Sequence, residues 1–207
     1  LAGRTSMGKT TLVLNIACNI ASRGIPILIF SAETEAEELT QQSLFMTARI
    51  RDGLWITGIK SKGDTEAMKA TAERAKQWPF YIDNDAIISV PKLQARSRRM
   101  VAKHGVKLII VDYIQKVGGS KTKASRYEEV SEVSGALKAI AMELKVPVIG
   151  LSQLHRDREG KNDRKPNKSD LRESGKIEED ADIIIFIHRY DYYKKEGSAW
   201  TVAICND

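Results

Sequence analysis

The chain has 207 residues, 42% hydrophobic and 29% charged, with a formal net charge of +6; it is long enough to bury a core without disulfides or structural metal, and its balance argues against disorder and against fibrous or coiled-coil designs. No apolar run approaches the roughly 20 residues that span a bilayer, and no basic region followed by an apolar stretch and a cleavage site marks export. The two cysteines, Cys18 and Cys205, lie far apart without metal-ligand spacing, so the expectation is one soluble, cytoplasmic domain in a reducing compartment with no membrane partner.

Short β-branched apolar runs alternate with longer amphipathic stretches, the pattern of a mostly parallel sheet whose strands are joined by crossover helices. Leu1 and Ala2 precede a glycine-rich loop, Gly3-Arg4-Thr5-Ser6-Met7-Gly8-Lys9-Thr10, which opens a helix predicted over Lys9–Ser22. A strand over Ile27–Ser31, helices over Glu35–Ile50 and Thr65–Gln77, a strand over Phe80–Asp83 and a helix over Pro91–Lys103 follow. Leu108–Asp112 is apolar at successive positions rather than alternating, which marks a central strand covered on both faces. In the helix predicted over Tyr127–Lys145, Val130, Val133, Leu137, Ile140 and Leu144 make one apolar stripe. Strands over Val148–Ser152, Ile183–Ile187 and Thr201–Cys205 complete the series, with a polar loop over Asn162–Ser169. Both ends look cut. A loop of this kind normally follows a buried strand, and the last residues, Cys205-Asn206-Asp207, stop directly after a strand.

The chemistry begins at the loop. Gly3 and Gly8 let it fold tightly enough for backbone N–H groups, those of Ser6 and Met7 between them included, to converge on phosphate oxygens. The following helix offers its positive end. Lys9 then neutralises the β and γ phosphates of ATP, Thr10 supplies a hydroxyl to Mg²⁺, and Thr11 can donate to the α phosphate. The plainer reading is a glycine-rich turn that caps a helix. Asp112, an acid at the end of an apolar strand, suits the Mg²⁺ shell; it can also simply cap the next turn. Glu33 follows another strand, where a carboxylate can polarise the water that attacks the γ phosphate. Thr34 and Glu37 have capping-box spacing, however, so Glu33 equally fits an acid-rich helix start. Gln153 follows the strand Val148–Ser152 and can feel the γ phosphate or hydrogen-bond locally. Three basic stretches, Arg96–Lys103, Lys116–Arg126 and His155–Lys168, read as solvated surface or as a polyanion-binding face.

Six blocks carry a resemblance: Gly-Arg-Thr-Ser-Met-Gly-Lys-Thr-Thr at 3–11, Phe-Ser-Ala-Glu at 30–33, Val-Asp-Tyr-Ile-Gln at 111–115, Leu-Ser-Gln-Leu at 151–154, Ser-Asp-Leu-Arg-Glu-Ser-Gly at 169–175 and Ile-Glu-Glu-Asp-Ala-Asp at 177–182. In this order and spacing the chain resembles the C-terminal ATPase domain of the replicative hexameric DNA helicases of bacteria and their phages, the DnaB type. The resemblance implies an α/β, RecA-like P-loop NTPase fold in which Glu33 is the catalytic base and Gln153 the γ-phosphate sensor, with Asp112 associated with Mg²⁺. It implies that Arg172, Glu173 and Gly175 belong to a loop holding the backbone of single-stranded DNA, with Lys176 as a further contact and Arg172 foremost. A homohexamer, a primase and a helicase loader are the implied partners, and the setting is a bacterial cytoplasm, with a phage-encoded source equally open. It also implies movement 5′ to 3′ on DNA. The family's arginine finger and the lysine beside it lie just beyond this strand end, where Asn206 stands at the lysine's place, and the collar domain and linker helix precede Leu1. Few aromatics accompany the basic stretches, so phosphate contacts should dominate, giving sequence-nonspecific and salt-dependent binding. The alternatives are a RecA- or RadA-like recombinase or recombination mediator, and a non-catalytic ATP-binding regulatory module.

Overall fold

A computed structural model describes residues 1–85, 87–119, 125–154, 165–168, 170–171 and 175–189, and the backbone of 200–205. In chain order the strands are β1 (Ala2–Gly3), β2 (Ile27–Ser31), β3 (Phe80–Asp83), β4 (Leu108–Asp112), β5 (Val148–Gly150), β6 (Ser152–Gln153), β7 (Ile184–Arg189) and β8 (Trp200–Cys205). The helices are α1 (Lys9–Ala21), α2 (Ala36–Ala48), α3 (Asp52–Ile56), α4 (Lys62–Ala75), α5 (Val90–His104), α6 (Arg126–Leu144) and α7 (Gly175–Asp180), with a 3₁₀ turn over Ile114–Lys116.

The strands run in the order β3-β2-β4-β5 and β6-β1-β7-β8, and every pairing is parallel except β7 with β8. The single strand expected over Val148–Ser152 is divided at Leu151, where the chain changes neighbours. Leu151 N–H still donates to Val111 O at 2.9 Å, whereas Ser152 N–H donates to Leu1 O at 2.8 Å. That exchange brings the two sets of strands side by side in one α/β layer, as the RecA-like expectation requires.

Alternation along the central strands settles why they read as continuously apolar. Leu28, Phe30, Ile109 and Val111 enter one core with Leu93 of α5 and Val133, Leu137 and Ile140 of α6. Ile27, Ile29, Leu108 and Ile110 enter the opposite core with Val13, Leu14 and Ala17 of α1 and Leu39 of α2. Helices therefore cover both faces, and a side chain on either face leaves water on folding, each worth about 1.5–3 kcal/mol of transfer free energy. Gly150 is needed where α6 and the 3₁₀ turn close on β5. A Cβ there would lie 2.8 Å from Ile114 Cδ1 and 3.1 Å from Leu137 Cδ1.

Some boundaries differ from expectation for local reasons. α4 begins three residues before Thr65, because Ser61 Oγ accepts from Asp64 N–H at 3.0 Å while Asp64 Oδ2 accepts from Ser61 N–H at 2.8 Å, a reciprocal cap. Ser125 and Glu128 form the same box at the start of α6. Registers pair Ser31 with Asp112 and Gly3 with Gln153. The carboxyl ends of β1, β2, β4 and β6 thus meet at one edge, the place where parallel α/β sheets hold ligands.

Candidate functional site

The loop at 3–10 leaves β1 and enters α1 through two left-handed residues, Ser6 at φ 62° and Gly8 at φ 90°. The value at Gly8 is far from what an L side chain adopts without strain, which accounts for glycine there. Met7, 1% exposed, anchors the middle of the loop in the interior. α1 has no side-chain cap and no acid in its first turn, and its first helical bond runs from Leu12 N–H to Gly8 O at 2.9 Å. The positive end of a 13-residue helix is thereby left facing the loop, an arrangement suited to phosphate. Lys9 Nζ lies across the loop and donates to Gly3 O and Arg4 O, each at 3.0 Å. Burial pushes the Lys9 ammonium below the ordinary lysine value, against the pull of Asp112 and Glu33. Thr11 stands exposed on the same first turn.

Thr10 Oγ1 donates to Asp112 Oδ2 at 2.7 Å. Asp112 is buried, and desolvation raises its carboxyl above the ordinary aspartate value; the Thr10 bond works against that rise, the charge of Glu33 adds to it, and Lys9 opposes it. A buried carboxylate in that condition gains from a cation. Among the described residues no cluster of three or more His, Cys, Asp or Glu could hold a metal alone. The Thr10–Asp112 pair therefore fits a hard cation that brings further oxygens with it, as Mg²⁺ does with phosphates and water.

Glu33 rides on the turn after β2. Ser31 Oγ donates to Thr34 O at 2.6 Å and accepts from Thr34 N–H at 3.1 Å, and Ala32 N–H donates to Asp112 O at 3.0 Å. These bonds hold the turn beside the end of β4 with the Glu33 carboxylate exposed, and its charge acts on Lys9, Asp112 and Tyr113. The capping-box alternative is not what forms here: the N-cap of α2 is Glu35, with no side-chain bond.

Gln153 Nε2 donates to Thr5 Oγ1 on the phosphate loop at 2.7 Å. Behind it lies a residue to which no role was assigned from sequence, Gln115. Its amide donates to Ser152 Oγ at 2.9 Å and to Gln153 O at 3.2 Å, while Gln153 N–H donates back to Gln115 Oε1 at 3.3 Å. Gln115 was in plain view in the block at 111–115, but nothing local in sequence ties it to a strand 38 positions away.

The nucleic-acid candidates divide. Arg172 and Glu173 lie outside the described residues. Gly175 opens α7, and a side chain there would come within 3.9 Å of the Tyr127 hydroxyl. Lys176 is paired with Glu179 of its own helix at 2.9 Å, and Ile177 seats α7 in the core beneath α6. In the first basic stretch, Arg96 binds Asp83 and Asp85 and Arg98 forks onto Glu143, so those two charges serve the fold. Most of the third stretch, and residues 120–124 of the second, lie outside the described residues.

Comparison with known proteins bears on the family and the fold. Residues 1–205 match the family described as DnaB-like helicase C terminal domain. The chain is 40% identical over 212 residues to the replicative DNA helicase DnaB of Rickettsia felis, covering 96% of this chain and 43% of that protein. It is 42% identical over 198 residues to the replicative DNA helicase DnaC of Bacillus subtilis, covering 95% and 44%. The chain thus spans less than half the length of these curated relatives. Among solved structures, one described as an ATPase domain superposes with a TM-score of 0.89 at 30% identity, over 98% of this chain and 78% of that one. A DnaB-like replicative helicase, described with its interactions with primase, gives 0.90 at 30% identity over 98% and 52%.

Proposed function

The chain belongs to the family of DnaB-like helicase C-terminal domains, and from that premise we propose that it is the ATP-hydrolysing motor domain of a replicative DNA helicase. The observation that carries the proposal is the meeting of Lys9, Thr10, Asp112 and Glu33 at one sheet edge, with Thr10 bonded to Asp112 at 2.7 Å. ATP lies along the loop, its phosphates facing the N–H groups of residues 6–11 and the open end of α1. Lys9 leaves the carbonyls of Gly3 and Arg4 to meet the β and γ phosphates. When bound between Thr10 and Asp112, Mg²⁺ supplies charge neutralisation on those phosphates. Glu33 takes a proton from the attacking water, and Gln153, reaching from the end of β6, responds to loss of the γ phosphate.

The site faces outward at Glu33, which suits a ring in which a neighbouring subunit completes catalysis. Single-stranded DNA passes through the ring's centre, held by the loop that carries Arg172 and Glu173 and ends at Gly175, with Lys176 beside it. A homohexamer is the assembly this requires, and primase and a helicase loader are the partners that fit a replicative role. The similarity to a DnaB-like helicase described with its interactions with primase supports the first of these partners.

The test uses the full-length protein on a forked duplex. Wild type should displace a strand using ATP; Lys9→Ala should lose nucleotide binding, whereas Glu33→Gln should bind ATP and fail to hydrolyse it. Arg172→Ala should weaken binding to single-stranded DNA and flatten its salt dependence by about 0.7 per lost phosphate contact, with nucleotide affinity intact. Efficient strand pairing without unwinding would replace this reading with the recombinase one. Wild-type turnover in Lys9→Ala or Glu33→Gln would remove those residues from the site.

A further inference from the structure

The two edges of the sheet differ in charge. Glu33, Asp83 and Asp112 stand at the carboxyl ends of β2, β3 and β4, beside the nucleotide site. At the amino ends, the loops that feed β3, β2, β4 and β5 are tied in a row: Ile27 N–H donates to Pro79 O at 3.0 Å, Lys107 N–H to Pro26 O at 2.8 Å and Ile109 N–H to Pro147 O at 3.1 Å. Neighbouring strands lie about 4.8 Å apart, so the segments entering β2, β4 and β5 cross this edge within about 10 Å. In that order they carry Arg23, Lys107 and Lys145. Arg99 and Lys103, one turn apart and exposed on α5, extend the row, because α5 turns through Gly105 at φ 64° toward Lys107. The strands β2 and β4 have five residues each, which sets this edge about 16 Å from the nucleotide edge.

Among the described residues none of these five cations forms an ion pair. Glu143, close to Lys145 in sequence, is held by Arg98, and Glu73 by Lys76. A cation at the end of a helix complements its dipole, which accounts for Lys145 after α6 and for Lys103 in the last turn of α5. It does not account for Arg99, more than a turn before the end of α5, nor for residues 90–111, which hold six basic residues and no acidic one. A protein partner would want an apolar or aromatic centre to its interface. The larger exposed apolar side chains close to these cations in sequence are Ile25 and Met142, on different elements. Cations spread over separate segments without such a centre fit a phosphate backbone, which is bound through its charge and irrespective of sequence.

We infer that this basic edge is a second nucleic-acid surface, which takes the phosphate backbone of the strand that the ring displaces. The inference rests on the proposed function, which sets one strand in the centre of the ring and leaves the other outside it. Arg23, Arg99, Lys103, Lys107 and Lys145 hold that outer strand by charge alone. None of them belongs to the ATP site, so the surface can be altered without touching hydrolysis.

The experiment measures the affinity of the full-length protein, with a non-hydrolysable ATP analogue and Mg²⁺, for two forks that share one tracked strand. The displaced arm is an unpaired oligothymidylate tail, built either with ordinary phosphodiesters or with neutral methylphosphonates. Wild type should bind the phosphodiester fork more tightly, and the advantage should fade with salt. The triple variant Arg99→Gln, Lys103→Gln, Lys107→Gln should lose about 2 from the salt slope, at about 0.7 for each of three phosphate contacts, which makes its loss of affinity between 50 and 200 mM salt about 20-fold smaller than that of wild type. Its ATP hydrolysis stimulated by plain oligothymidylate should equal that of wild type. If the triple variant fails to fold, the pair Lys103→Gln, Lys107→Gln takes its place, with a change in slope of about 1.4. An active wild type that binds both forks equally, or a folded variant that keeps the wild-type preference and slope, would overturn the inference and leave the proposed function standing. Equal binding of both forks together with capture of fluorescent polyglutamate that depends on these lysines would assign the edge to an acidic protein segment and likewise overturn it. A wild-type protein whose ATP hydrolysis ignores oligothymidylate and that displaces no strand would remove the proposed function itself.

Discussion

Replacing Thr10 with valine keeps the shape of the side chain and deletes one hydroxyl, the one that donates to Asp112 Oδ2 at 2.7 Å. Asp112 is 5% exposed, so water cannot easily replace the lost donor. A hydrogen bond to a charged group contributes about 1.5–3 kcal/mol, and little cavity forms because valine matches threonine in volume. In the absence of nucleotide we expect a loss of about 2 kcal/mol, or about 4–8 °C in melting temperature for a domain of this size. The pH dependence identifies the cause. Burial sets the folded pKa of Asp112 above its unfolded value, so the charged carboxylate destabilises the fold above that pKa, and the penalty fades as pH falls through it. Deleting the Thr10 donor raises the folded pKa further. The difference between Thr10→Val and wild type should therefore be largest above the folded pKa of Asp112, where the carboxylate is charged, and shrink in acid, once the carboxyl is neutral in both proteins. Urea unfolding across that range measures it, with Thr10→Ser, which keeps the donor, as the control. A loss that is absent, or that stays the same at every pH, would show that Thr10 does not carry the Asp112 charge.

Gly8→Ala forces an alanine into φ 90°, which costs about 1–2 kcal/mol in urea unfolding; the distorted loop should also lose affinity for a fluorescent ATP analogue, and full affinity would contradict the assigned role of this turn. Gly150→Val sets a branched side chain against Ile114 and Leu137, where even a Cβ would lie 2.8 and 3.1 Å from their methyl carbons. Overpacking of that kind costs about 1–3 kcal/mol, and a stable Gly150→Val variant by thermal melting would show that the turn after β4 does not pack on β5 as described. Gln153→Ala removes the bond to Thr5; ATP binding should survive while stimulation of ATP hydrolysis by single-stranded DNA drops, and stimulation equal to wild type would exclude Gln153 as a sensor.

The strands β2, β3 and β4 coincide with the runs read from the sequence; in β2 and β4 the consecutive apolar residues report burial on both faces, whereas β3, at the edge of its sheet, is half-buried throughout. Short elements escaped. β1 has two residues and α3 five, too few for a period to declare itself, and α4 began early because Ser61 and Asp64 cap each other. In the candidate site, Lys9, Thr10, Asp112 and Glu33 could be nominated from sequence because a phosphate loop and strand-end acids are local patterns. Gln115 was not, because its importance lies in a contact with Gln153 rather than in its neighbours along the chain.

What the sequence by itself determined are particular patterns of short separation: the glycine loop at the start of a helix, the apolar central strands and the acids that end them. Only the tertiary structure decided that Ser31 pairs with Asp112, that the strand after α6 changes partners at Leu151, and that Thr5, Gln153 and Gln115 form one line. Register between strands distant in sequence is set by how two apolar faces are buried at once, on opposite sides of the same backbone. That is a property of the assembled sheet, and no window along the chain contains it.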